Sequence, residues 1–178
     1  IEKGLNRLIE IGILDADDAQ HRINELAAIL HDCVTKGASV NFMNPFTMAE
    51  AIEFYTGIAE AVRREEIILF AALEHDHAVG TCQLIPAKKP NQKHRADLAK
   101  LLVHSSHRNK GIGASLLAAA DQEVKRRGLK LVTLDTALNT AERLYERAGY
   151  QRAGVIPNYA LWPDGGYCDT VYFFKWFD

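Results

Sequence analysis

The residues best suited to chemistry gather in one run, Val103-His104-Ser105-Ser106-His107-Arg108-Asn109-Lys110-Gly111-Ile112-Gly113-Ala114. An apolar strand pattern precedes it and a helical pattern follows. The first amides of a helix lack internal partners and carry the positive end of its dipole. A pyrophosphate is the natural occupant of such a place. Gly111 and Gly113 let the backbone approach an anion without a Cβ in the way. Arg108 and Lys110 add positive charge beside it. Spacing excludes two common nucleotide loops. A dinucleotide fingerprint would have a third glycine where Leu116 stands, and the Gly-x-x-x-x-Gly-Lys-Ser/Thr of a Walker loop is absent. A glycine-rich helix start that holds no ligand is the competing reading.

Other chemistry-bearing residues carry two readings each. Asp135 stands at the C-terminal end of a strand pattern, where a carboxylate serves as a base or as a structural partner. Tyr145 falls on an apolar helical stripe and is a core residue unless something else claims its hydroxyl. His104 is a second candidate base. Glu74-His75-Asp76-His77 has the composition of a metal site, but it reads as a hairpin turn with no further ligand cluster, so a solvated loop and no metal are expected. Lys125-Arg126-Arg127 complements a helix C-terminus better than it makes a nucleic-acid patch. Cys33, Cys82 and Cys168 are far apart and odd in number, which indicates buried reduced thiols and neither a disulfide framework nor a zinc ribbon.

The elements that must position these residues follow from periodicity. Leu8 to Leu14 alternates as a strand, and a helix then runs through Ile23, Leu26, Ala27, Leu30 and Val34 to Lys36 and Gly37. A loop spans Ala38 to Pro45. Thr47-Met48-Ala49-Glu50 has capping-box spacing and starts a second helix. Ile67–Leu73 and Ala78–Ile85 make a hairpin, Pro86 to His94 a loop, and Asp97–Val103 the strand before the glycine run. A helix through Ile112, Leu116, Ala120 and Val124 ends at Gly128. Leu129–Leu134 is a strand, Asn139-Thr140-Ala141-Glu142 caps a short helix ending at Gly149, and Tyr150–Ile156 is a strand. Pro163-Asp164-Gly165-Gly166 is a turn before a last strand, Thr170–Phe177. Hairpins first and strand–helix–strand later imply an α/β (α+β mixed) fold with a central mixed twisted sheet flanked by helices.

The bulk composition fits that frame. The chain has 178 residues, 48% hydrophobic and 25% charged, enough for one domain, residues 1–178, with a sizeable core. A net charge of −2 argues against a general nucleic-acid binder. No apolar stretch is long enough to span a bilayer, and no basic segment leads into an apolar one near the start, so a cytoplasmic protein without a membrane partner is expected.

Arg-x-x-Gly-x-Gly after a strand resembles the acetyl-CoA signature of the GNAT superfamily of N-acetyltransferases. The element order matches that fold, with its sheet of about seven strands. Asn139 to Tyr150, with Ala141, Leu144, Tyr145, Gly149 and Tyr150, resembles the family's second CoA-contacting region. Within the family the chain is most similar to members that acetylate a small amino-acid-like toxin. That similarity lies in Gly37-Ala38-Ser39-Val40 with Phe42-Met43, Lys89-Pro90-Asn91, Arg95-Ala96, Leu134-Asp135-Thr136, Pro157 with Tyr159, and Pro163-Asp164-Gly165. Two positions depart from the family pattern: Ser105 stands where a proline is frequent, and Asn109 where a glycine commonly follows the arginine. Neither removes a needed amide, so CoA binding is expected to survive.

The resemblance implies acetyl-CoA as co-substrate and no metal. Leu102, Val103 and His104 would lie along the pantetheine arm. Arg108, Asn109, Lys110, Gly111, Ile112, Gly113 and Ala114 would surround the pyrophosphate, with Asn139 near the pantetheine and Tyr145 near the sulfur. The expected reaction is N-acetylation of a small primary amine, an amino acid or amino-acid-like toxin, by direct transfer in a ternary complex. A backbone amide near Val103 or His104 would polarise the thioester carbonyl, Tyr145 would protonate the thiolate, and Asp135 would take the amine's proton directly or through water. Phe42, Asp135, Tyr159 and Trp162 would line the acceptor side. The alternatives are acetylation of a protein lysine or N-terminus, and a CoA-binding sensor without turnover. The family also admits a homodimer.

Overall fold

The computed structural model describes residues 9–137 and 141–178. Its sheet is built from β1 (Ile9–Leu14), β2 (Ile68–Glu74), β3 (His77–Pro86), β4 (Arg95–Val103), β5 (Leu131–Ala137), β6 (Gln151–Leu161) and β7 (Tyr167–Trp176). The spatial order is β1-β2-β3-β4-β5-β7-β6. Only β4 and β5 run parallel, so the sheet is mixed. One face is covered by α1 (Ala16–His21), α2 (Ile23–Thr35) and α3 (Met48–Arg63), the other by α4 (Ile112–Arg126) and α5 (Glu142–Arg147).

Local chemistry explains most of these elements. Asp15 caps α1 by accepting from the Asp18 amide at 2.8 Å. Thr47 and Glu50 form the expected capping box of α3. The stripe Leu26, Leu30 and Val34 of α2 is fully buried. The single helix expected between Leu14 and Gly37 is instead two. The chain breaks at Arg22, whose guanidinium reaches across to the Asp76 carbonyl at 2.6 Å and its carboxylate at 2.5 Å. That bond pins the helix junction to the β2–β3 turn.

The last two strands are longer than their sequence pattern suggests. Pro157-Asn158 reads as a breaker, yet β6 continues to Leu161 through a register shift between Ile156 and Ala160, with Asn158 at φ 53°. β6 is the sheet's outer edge, where a proline removes no ladder bond on its free side. Asn139 and Thr140 of the expected cap, and Leu8, lie outside the described residues.

Two departures from a regular sheet prepare the site. β4 pairs with β3 from Ala96 to Val103, but with β5 only from Arg95↔Leu131 to Asp97↔Thr133. Beyond that point Leu98–Val103 and Leu134–Ala137 diverge, and the sheet splays open. In the same stretch the β3–β4 register slips between Thr81 and Gln83, and Lys100 takes a left-handed φ of 51°. This is a bulge, which bends its strand and re-aims side chains.

Gly80 of β3 holds the next element close. A Cβ there would stand 3.0 Å from Ile112 Cγ2, 3.2 Å from the Leu102 carbonyl oxygen and 3.2 Å from Leu116 Cδ1. The bare glycine lets the first turn of α4 lie directly against β3, beside the end of β4.

Candidate active site

β4 ends at Val103, a single 3₁₀ turn covers Ser105–His107, and α4 begins at Ile112. Between them Asn109 and Gly111 take left-handed φ values of 61° and 78°. Alternating handedness turns successive N–H groups toward one concavity, a nest for an anion. Among the described residues no hydrogen-bond acceptor takes the amides of residues 109–114. The donor set fits a pyrophosphate, and Lys110 and Ala114 are exposed beside it.

Arg108 differs from its expected role. Its Nε donates to the Val103 carbonyl at 3.3 Å, and its Nη2 lies 3.6 Å from Cys33 Sγ. The guanidinium turns back onto the end of β4 and α2, so it braces the turn and does not project into the nest.

Asp32, which the sequence pattern hides inside the apolar run of α2, is a second brace. It accepts from the Ser105 amide at 2.8 Å and the Ser105 hydroxyl at 2.9 Å, and it pairs with Lys36. Burial alone would raise its pKa. The bonds from Lys36 and Ser105, with His104 nearby, outweigh burial and hold the carboxyl at about 2. A carboxyl held below its unfolded value stabilises the fold fully at neutral pH. That contribution is lost as pH falls from about 4 toward about 2, and it amounts to about 1–2 kcal/mol. Asp32→Asn should therefore lower the urea-unfolding stability by that amount at neutral pH and flatten its dependence between those limits. An unchanged acid slope would show that Asp32 does not carry it.

A chain of hydrogen bonds completes the turn. His104 Nδ1 and His107 Nδ1 each lie 2.7 Å from Ser106 Oγ, and His107 Nε2 lies 3.0 Å from Glu74 Oε2. His104 Nε2 stands 3.7 Å from Asp32. The two ring nitrogens of His104 thus face Ser106 of the turn and Asp32 of α2. The backbone amide of His104 donates to Val79 at 2.9 Å. The alternation of an antiparallel pair then turns the amide of Val103 away from β3, toward the splay.

Tyr145 and Asp135 lie on opposite faces of the sheet. Tyr145 is 6% exposed and packs with Tyr150 and Phe173 on the α4–α5 face. Burial, and then nearby Cys82 and Asp135, raise its phenol above the ordinary value, so it keeps its proton at neutral pH. Asp135 is exposed on β5, and its pleat neighbours Val132 and Leu134 are buried on the α4–α5 face. Its side chain therefore takes the α2–α3 face. It pairs in register with Tyr172, whose hydroxyl donates to Tyr159 at 2.8 Å. That bond, then burial and the charges of Asp135 and Asp97, push the Tyr172 phenol up to about 12.

The residues expected on the acceptor side come from distant segments. Phe42 packs against Phe46 and Phe54, with ring centroids 4.6 and 5.3 Å apart. The loop that carries Phe42 is fastened to the β6–β7 turn. The Asn44 amide donates to the Pro163 carbonyl at 2.8 Å, and Ser39 Oγ to Leu161 at 3.1 Å. Trp162 closes that turn through its backbone with Gly166 and Gly165, and among the described residues no hydrogen bond or ring contact joins its indole to Asp135 or Tyr159. Asn139 lies outside the described residues.

His75 and Asp76, both with positive φ, make an exposed tight turn, and no cluster of three metal-binding side chains occurs among the described residues. Cys33, Cys82 and Cys168 are free and buried. Burial raises the thiol pKa of Cys33 and Cys82. Among the described residues no helix is long and apolar enough to cross a membrane.

The model of the acetyltransferase (GNAT) domain family matches residues 65–152, the stretch from the end of α3 through the start of β6. Solved structures share the fold over nearly the whole chain. An N-acetyltransferase from Staphylococcus aureus Mu50 superposes with a TM-score of 0.78 at 20% identity, covering 94% of this chain and 98% of its own. A protein assigned as a phosphinothricin N-acetyltransferase gives 0.78 at 16% identity over 96% and 99%. A Salmonella typhimurium protein assigned as an acetyltransferase, solved with its cofactor acetyl-CoA, gives 0.75 at 18% over 96% and 95%.

Proposed function

We propose that the chain, whose residues 65–152 match the acetyltransferase (GNAT) domain family, transfers the acetyl group of acetyl-CoA to the primary amine of a small molecule, directly and in a ternary complex. One observation carries the reading. The β4–β5 splay joins an anion nest and Tyr145 on one face to Asp135 and an aromatic wall on the other. Donor and acceptor can then meet through the sheet, which is what a reaction without an acyl-enzyme requires. We read residues 1–178 as one domain serving this purpose.

Each residue takes one task. The amides of residues 109–114 hold the pyrophosphate. The amide of Val103 donates to the carbonyl oxygen as negative charge grows there. The His104 amide is already engaged, which leaves Val103 of the two. Asp135 receives the ammonium proton, freeing the lone pair that forms the new C–N bond. Tyr145 delivers a proton to sulfur as the C–S bond breaks, and the second proton of the attacking nitrogen, shed as the amide forms, restores the phenol through water. The raised thiol pKa of Cys82 and Cys33 argues against a cysteine nucleophile and a ping-pong route.

A small acceptor fits better than a peptide because the Phe42 loop is clasped to the β6–β7 turn, which closes one side of the acceptor wall. Gly37-Ala38-Ser39-Val40 with Phe42-Met43, Pro157 with Tyr159, and Pro163-Asp164-Gly165 lie along this wall and are among the segments by which the chain resembles the tabtoxin resistance protein. Thiol release measured over small amines and lysine peptides tests the reading. Turnover on amines supports it, and turnover on peptides alone selects protein acetylation. Tight CoA binding without turnover on either makes the chain a sensor.

A further inference from the structure

We propose that Lys100 is the specificity-determining residue of the acceptor side, and that its ammonium binds a carboxylate on the amine substrate. The favoured substrates are then α-amino acids or close analogues that keep the acid group. This deepens the acetyl-transfer reading and rests on it.

Lysine gains nothing from a left-handed φ, yet Lys100 holds 51° at the β4 bulge, where β4 has already parted from β5. The bulge aims the side chain at the α3 face, with Nζ 5.9 Å from the centre of the Phe54 ring. There the ammonium is half-buried. Burial lowers its pKa from the ordinary lysine value, and the Asp135 carboxylate across the splay counters that effect.

Comparison with other cations of the sheet sharpens the point. Arg95 bonds to Asp97 and Gln92, and Lys175 to Asp121 and the Ala148 carbonyl. Among the described residues no oxygen lies within hydrogen-bond or ion-pair distance of Lys100 Nζ. A half-buried charge is costly without an anionic partner, and here the partner's place faces the acceptor side. Gln83 adds a second donor. It pairs in register with Ala99, so it shares that face, and its buried Nε2 has no hydrogen-bond partner among the described residues.

The charges match a zwitterion. Asp135 attracts the ammonium at the reacting end, Lys100 takes the carboxylate, and Phe42 and Phe54 offer an apolar wall to the side chain. A lysine acting on the reaction itself, as base or oxyanion donor, would serve every amine alike. A carboxylate-binding lysine discriminates.

The test compares amino acids with their carboxamides, using wild type, Lys100→Met and Lys100→Arg. Wild type should favour the acid by about 30-fold or more in kcat/KM, chiefly through KM, as expected for a charge-assisted pair. Lys100→Met should lose that preference while its carboxamide rate stays within about threefold, and Lys100→Arg should restore part of it. Equal losses on acid and amide, or a wild type indifferent to the carboxylate, would overturn the proposal. Calorimetry on the CoA complex decides the same point without turnover. N-acetyl-L-alanine should bind wild type about tenfold more tightly than N-acetyl-L-alaninamide, and Lys100→Met should bind them equally. No preference in wild type, or no binding of either, refutes the carboxylate site. Failure of the acetyl-transfer reading looks different: no amine or peptide then releases thiol from acetyl-CoA.

Discussion

Replacing Tyr145 with Phe lowers kcat by about 100-fold or more, while acetyl-CoA affinity stays within about threefold. The substitution removes one oxygen and leaves the ring packed against Tyr150 and Phe173. The fold should therefore barely register it, and the melting temperature is the control. The chemistry should register it strongly, because the departing thiolate then lacks an acid. The phenol suits that task. Its raised pKa keeps it protonated through the neutral range, and it sits close enough to Asp135 for that carboxylate to add to the rise. Stopped-flow thiol release with direct calorimetry of CoA binding separates the outcomes. An unchanged kcat would reduce Tyr145 to a core residue, the other reading its apolar stripe allows.

How much of this was legible in the sequence depends on distance along the chain. The strand-to-helix turn was legible because it is local: glycines, charge and the change from strand to helix period all lie between Val103 and Ala114. The α3 capping box and the buried stripe of α2 were legible for the same reason. Arg108 was misplaced because its partners, the Val103 carbonyl and Cys33, belong to another strand end and another helix. Asp32 was invisible because a carboxylate inside an apolar run has no meaning until Ser105 and Lys36 stand beside it. The length of β6 was underestimated because Pro157 breaks inner strands and not free edges. Lys100 was read as one residue of a regular strand, because the slip at Thr81–Gln83 that re-aims it is a property of two strands together. The splay is of the same kind. Its edges are ordinary strands, and only their failure to pair makes an opening.

Gly113→Ala should separate folding from donor binding. Gly113 lies in the first turn of α4, where alanine is a better helix former than glycine by about 0.5–1 kcal/mol. An added Cβ would meet only Leu144 Cδ2, at an ordinary 3.4 Å. The apo protein should therefore melt at the same temperature or slightly higher. That same Cβ points from α4 toward Leu144 of α5, where the proposed donor path from the nest toward Tyr145 would run. Acetyl-CoA affinity should fall about tenfold or more, which corresponds to about 1.4 kcal/mol of lost interaction. Gly57→Ala is the matched control, since Gly57 lies within α3 and a Cβ added there would meet nothing within 4 Å. It should raise stability in the same way and leave affinity untouched. A stabilised Gly113→Ala that binds acetyl-CoA as tightly as wild type would move the donor out of the α4–α5 gap, and with it the assignment of Tyr145 as the acid beside the sulfur.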